Sequence, residues 1–219
     1  MTSMQALRKT APASDVSVEN FLKQRAVNIV VSGSYTVPYW YDPEGKPRTF
    51  ACRTTRVSPF RMMVEVPVVC KVGDRLTSYF PDFGKFEGCI SDTRPRSFLL
   101  ELEMTGSMRE RFANKLTWLE RKQSDPAVQE VRKDARFIPA TPHSTLTLTD
   151  GARHECFIMD MSVSGAAVSA ELQPPIGTPL ALGAGVGRVV RLLPNGFAIK
   201  FVEPQGRQEL DRLLTRIPA

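Results

Sequence analysis

The run CRTTRVSPFRMMV (Cys52–Val64) returns 104 positions later as CFIMDMSVSGAAV (Cys156–Val168). The same offset lays VGDRL (Val72–Leu76) on IGTPL (Ile176–Leu180). After a five-residue difference, GCI (Gly88–Ile90) lies over GRV (Gly187–Val189), and RPRSFLLEL over LPNGFAIKF, with Pro95 on Pro194 and Phe98 on Phe197. RERFANKLTWL then matches RQELDRLLTRI, setting Phe112 and Leu116 over Leu210 and Leu214. One match would mean little, but five in the same order argue for two copies of one fold in tandem. Each copy then needs a core of its own within roughly 100 residues.

Each copy reads as short strands followed by one helix. In the second, STLTLT, HECFIMDMS, GAAVSAEL, PLALGAGV, GRVVRLL and GFAIKFV are β-branched or alternating runs, punctuated by TDGAR, SVSG, QPPIG and LPNG. LPNGF predicts a hairpin in which Asn-Gly supplies the positive φ angles of a type I′ turn. QGRQELDRLLTRI sets Leu210, Leu213, Leu214 and Ile217 at helical spacing. Many short strands with few helices predict a mainly β chain: two tandem six-stranded antiparallel barrels, each with a trailing helix over an opening or edge. The expected organisation is a disordered tail over 1–20, a first barrel and helix over 21–119, a linker over 120–137, and a second barrel and helix over 138–219. The linker breaks at SDP, because the residue before proline is pushed out of the α region.

Composition narrows the function. The chain has 219 residues, a formal net charge of +6 and a pI near 9.3, which favours anionic partners in general. The surplus is spread evenly, and neither an aromatic stripe nor a dense basic face is visible, so nucleic acid is not the expected partner. Cys52, Cys70, Cys89 and Cys156 form no CxxC and no cluster with His143 and His154. They read as buried reduced thiols, and the histidines as structural or exposed. No run approaches a membrane span, and the N-terminus lacks a secretory h-region, so a cytoplasmic location is expected. No nucleophile–base pair, paired carboxylates or phosphate-cradling glycine loop points to an enzyme, and no cofactor or metal is expected.

The residues that suggest chemistry lie in VRKDARF and DMSVSGAAV. Arg132 and Arg136 carry planar forks suited to phosphate, carboxylate or the guanine O6/N7 edge. Asp160 accepts two hydrogen bonds, matching the donor pair on guanine's Watson–Crick edge. Ser162, two residues on, shares its strand face. Gly165 removes a side chain where a turn is tight or a ligand approaches backbone. Alone, the arginine pair reads as a solvated linker and the Asp–Ser–Gly set as a turn ending a strand. Together they suit a ligand anionic in one part and guanine-like in another. Lys133, Ser164 and Arg188 are weaker candidates, Arg191 could face solvent or ligand, and Trp40 and Trp118 read as core or interface.

RKDAR fits RxxxR and DMSVSG fits [DN]xSxxG, the two motifs of PilZ domains, which are bacterial receptors for cyclic di-GMP. The resemblance covers about residues 120–219, and GRVVRLLPNGFAIKF looks like the family's fifth and sixth strands. It implies a six-stranded barrel with a trailing helix. By similarity, Arg132 and Arg136 would grip the phosphates and guanines, Asp160 and Ser162 a guanine, and Gly165 would let the ligand lie close. The first copy departs from the pattern: Arg56 stands for the aspartate and Arg61 for the glycine, Ser58 is kept, and no RxxxR precedes it. The resemblance therefore implies one binding site, in the second barrel, with the first supplying a protein partner surface or self-association. A nucleotide-independent adaptor acting through protein contacts is the alternative.

Overall fold

In a computed structural model, described over residues 26–42, 44–123, 138–206 and 210, the chain is mainly β. The first unit comprises β1 (Ser32–Tyr41), β2 (Pro47–Val57), β3 (Arg61–Glu65), β4 (Arg75–Phe80), β5 (Gly84–Arg94), β6 (Ser97–Leu102) and α1 (Gly106–Gln123). The second comprises β7 (His143–Leu148), β8 (Arg153–Ser162), β9 (Gly165–Ala170), β10 (Pro179–Leu182), β11 (Gly185–Leu193) and β12 (Gly196–Phe201). Both close into antiparallel barrels, in the orders β1-β2-β3-β6-β5-β4 and β7-β8-β9-β12-β11-β10. The two orders are the same when each strand is replaced by its counterpart six later. The tandem repeat is therefore a repeat of topology.

The repeat extends to irregularities. β2 carries an extra residue, Thr55, between the pairs Thr54↔Val64 and Arg56↔Met63. β8 carries Met159 between Ile158↔Val168 and Asp160↔Ala167, 104 positions on. β5 and β11 carry Ser91 and Val190 in the same way, between pairs Ile90↔Leu100, Asp92↔Leu99 and Val189↔Ile199, Arg191↔Ala198. Each bulge switches which side chains face out, so equal bulges place equivalent residues on equivalent surfaces.

Each barrel is filled by alternate side chains. Tyr35, Phe50, Met62, Phe98 and Leu100 occupy the first, and Leu146, Ile158, Val168, Phe197 and Ile199 the second. α1 starts at Thr105, whose Oγ1 accepts from the Met108 amide at 3.4 Å. It seats Phe112, Leu116 and Leu119 on the first barrel, with Phe112 ring centroids 5.3 and 4.9 Å from Phe83 and Phe86. The helix thus packs its apolar face into the first barrel's core. The expected second helix lies outside the described residues except for Leu210, which is helical and buried in the second core.

Two local expectations are corrected. PLALGAGV is two strands, divided at Gly183–Ala184, where Gly183 takes φ 55° as the first position of a type II′ turn requires. The β11–β12 hairpin turns on Pro194–Asn195, and Asn195 has no positive φ. Proline fixes φ near −65°, so a type I′ turn is impossible there.

The barrels meet through β2 against β8 and β9. Arg53 is buried on the outer face of β2; its Nε donates to Glu65 at 2.6 Å, and its two terminal nitrogens donate to the carbonyls of Pro139 (2.7 Å) and Ala140 (2.6 Å). The Ala51 amide donates to Ser169 Oγ at 3.0 Å, and Arg48 donates to the carbonyls of Glu171 and Ala170. Arg96, at φ 67°, pairs with Glu155 at 2.9 Å.

His143 lies under this seam, buried edge-on to Phe157 at 5.5 Å. Burial, then nearby Arg96, lowers its pKa to about 4. The folded state therefore binds fewer protons than the unfolded chain between about pH 6.5 and about pH 4. This contribution to stability is full above the upper limit and falls as pH drops through the window, by roughly 2–3 kcal/mol. Denaturant titrations at pH 7.5 and 4.5 are expected to show a smaller loss of stability for His143→Gln than for wild type.

Candidate functional site

The β8 bulge decides where the aspartate points. Ile158 and Met161 face the core, and with Met159 inserted, Asp160 and Ser162 share the outer face. Ser162 Oγ lies 3.2 Å from Ser164 Oγ and 3.4 Å from the Gly165 carbonyl, which orders the tight β8–β9 turn. β12 runs beside β9, and β11 beside β12. Asp160, Ser162, Ser164 and Gly165 thereby line one open groove of ≈ 360 Å³ together with Ala167, Ala198, Arg191 and Lys200. Small residues make its floor, and its charged lining is one carboxylate and two cations. That volume is within the range of small-ligand sites.

Gly165 has a structural reason of its own. A Cβ there would stand 2.3 Å from the Ile199 carbonyl oxygen, closer than real side chains approach. The strands are tight at this point whether or not a ligand is bound.

Of the weaker candidates, Ser164 lines the groove, whereas Arg188 does not; it is exposed and paired with Pro179 and Lys200. Arg132, Lys133 and Arg136 lie outside the described residues. Lys200 was not singled out from the sequence, and Arg191 was left open. Simple alternation along GRVVRLL groups Arg188 with Val190, and only the bulge at Val190 turns Arg191 outward beside Ala198.

The first barrel presents the same surface with its charges reversed. The bulges set Arg56 where the second barrel has Asp160, and Asp92 where it has Arg191. Arg61 and Glu101, which pair across β3 and β6, stand where β9 and β12 pair Gly165 with Lys200. Arg61 reaches Glu101 at 3.9 Å with its side chain 15% exposed, so a long cationic side chain stands where the second barrel has none. Ser58 Oγ accepts from the Arg61 amide at 3.1 Å. With an arginine in the place of Asp160, and carboxylates in the places of Arg191 and Lys200, this surface does not suit the ligand that the groove suits.

Among the described residues, no group of three His, Cys, Asp or Glu side chains could hold a metal, and no helix is long and apolar enough to cross a membrane. The family model described as PilZ domain matches residues 130–216. No curated protein matches the chain. Solved structures similar to it include PlzA of Borreliella burgdorferi in complex with c-di-GMP, at 13% identity over 91% of this chain and 90% of that one, TM-score 0.29. The MrkH–c-di-GMP complex of K. pneumonia is similar at 14% identity over 83% of each chain, TM-score 0.26. The inhibitor of motility MotI/DgrA of Bacillus subtilis is similar at 13% identity over 86% and 94%, TM-score 0.27.

Proposed function

We propose that this chain, whose residues 130–216 are a PilZ domain, is a receptor for cyclic di-GMP that binds at the outer groove of its second barrel. The observation that carries the reading is the groove itself. It gathers the Asp160, Ser162 and Gly165 of one motif on a face that also offers Arg191 and Lys200. Asp160 accepts from a guanine Watson–Crick edge, Ser162 hydrogen-bonds beside it, and Arg191 and Lys200 attract the phosphates. Arg132 and Arg136 add bidentate forks from the segment ahead of β7. Lys133 and Ser164 are secondary contacts.

Binding recruits the arginine segment, which is also the join between the barrels. Its contacts with the ligand are thereby read out as a change in how the barrels sit, and so in partner or self-contacts of the first barrel. Small-angle scattering profiles unchanged at saturation would remove this switch and leave the binding claim intact. The direct test is calorimetric titration of cyclic di-GMP into wild type, Arg136→Ala and Asp160→Ala. Binding by wild type that both variants lose supports the receptor. No binding by wild type supports a nucleotide-independent adaptor.

A further inference from the structure

We infer that Arg53, in the first barrel, is a positioning residue for the groove of the second, acting through the four residues Pro139–Pro142. This inference rests on the receptor reading above. The stretch is gripped from both sides. Arg53 donates to the carbonyls of Pro139 and Ala140 at 2.7 and 2.6 Å, and the Ile158 amide donates to the carbonyl of Pro142 at 2.6 Å. Ile158 is the last regular residue of β8 before the bulge that turns Asp160 into the groove. A guanidinium on one barrel is therefore linked, through one short stretch of backbone, to the strand position that aims the proposed guanine acceptor.

Two observations make Arg53 more than a surface cation at a seam. It is 6% exposed, and all three of its bonding nitrogens are engaged, with Glu65 fixing the Nε side of the fork. A buried, bidentate arginine holds carbonyls in one geometry, which a flexible lysine does not reproduce. The bulge also divides its two neighbours between the two regions. Met159 lines a 280 Å³ cavity between the barrels with Phe157, Asn195, Cys52 and Tyr79, while Asp160 lines the groove. A shift of the seam at Met159 is thus a shift of its neighbour Asp160. Asn195 belongs to the turn joining β11 and β12, the strands that carry Arg191 and Lys200, so the same cavity is lined by segments continuous with both sides of the groove.

The test compares full-length wild type with Arg53→Met, the milder Glu65→Gln, and Ser169→Ala. Ser169→Ala removes a different bond of the same seam without touching residues 139–142. In the ligand-free proteins, hydrogen–deuterium exchange across β7 and Cys156–Met161 is expected to accelerate at least threefold in Arg53→Met, less in Glu65→Gln, and not in Ser169→Ala. Calorimetry is expected to show cyclic di-GMP affinity about tenfold lower in Arg53→Met, two- to fourfold lower in Glu65→Gln, and within twofold of wild type in Ser169→Ala. Equal losses in Arg53→Met and Ser169→Ala would reduce Arg53 to one seam bond among several and overturn the proposal. So would wild-type exchange in Arg53→Met. Should Arg53→Met fail to fold, Glu65→Gln against Ser169→Ala decides the same question. If wild type does not bind the dinucleotide, the receptor reading falls and the affinity coupling with it, while the exchange comparison still decides the mechanical link.

Discussion

Asp160→Ala is expected to weaken cyclic di-GMP binding by a hundredfold or more while leaving the unfolding midpoint almost unmoved. Asp160 sits on the outer, half-exposed face of β8, clear of the packed interior that Ile158 and Met161 fill. Removing it leaves no cavity in the core, so little stability is lost. Its role in the groove is different in kind. A carboxylate meeting the two Watson–Crick donors of guanine makes two charge-assisted hydrogen bonds of about 1.5–3 kcal/mol each. Losing both, and leaving the guanine donors unanswered, is worth about 3–5 kcal/mol, or roughly two to three and a half decades of affinity. Arg191→Ala, by contrast, removes an exposed cation aimed at a phosphate. A loss of about three- to tenfold is expected, shrinking as salt is raised. Calorimetry at low and high salt separates the two behaviours. Affinity within threefold of wild type for Asp160→Ala would place the ligand elsewhere.

The contrast between these two residues also shows how far the sequence can be read. Asp160 and Ser162 lie two apart on a strand, so their common face follows from the period of β structure alone. The barrel topology was legible for a similar reason: the repeat at 104 residues copies even the bulge positions Thr55 and Met159. Arg191 was not legible, because one unpaired residue, Val190, inverts the alternation that would otherwise bring Arg188 forward. Bulges have no sharp signature in a run such as GRVVRLL. The reversed charges of the first barrel were half legible, since the two offsets align Arg56, Arg61, Asp92 and Glu101 with Asp160, Gly165, Arg191 and Lys200, whereas only the bulges show that Arg56 and Asp92 face outward with them. The LPNG turn was misread because Pro194, not Asn195, takes the first central position. Arg53 was out of reach altogether. Its carbonyl partners lie 86 and 87 residues along the chain, and nothing local distinguishes it from an exposed strand cation.

Gly165 separates a structural from a ligand-facing account of the same motif position, and Gly165→Ala is the substitution that does so. A methyl group there would lie 2.3 Å from the Ile199 carbonyl oxygen and 3.4 Å from the Lys200 Cα. Backbone is on the other side, so nothing flexible can yield, and β9 and β12 must part at a point where they are paired. The strain of overpacking and the weakened ladder together cost about 2–4 kcal/mol. That is a substantial fraction of the 5–15 kcal/mol by which domains are ordinarily stable, and a urea titration resolves it easily. Gly187 presses on the same strand from the opposite side, its Cβ position 2.5 Å from the Lys200 carbonyl oxygen. Gly187→Ala is therefore expected to destabilise by a similar amount, although Gly187 does not line the groove. Ser162→Ala supplies the contrasting control, lowering affinity while moving the midpoint far less than Gly165→Ala, since it gives up only the side-chain bonds of the β8–β9 turn. If Gly165→Ala lowered affinity alone, its glycine would serve the ligand only. The expected result is that both fall together, because the strands that form the groove, β9 and β12, are the strands the added methyl group drives apart.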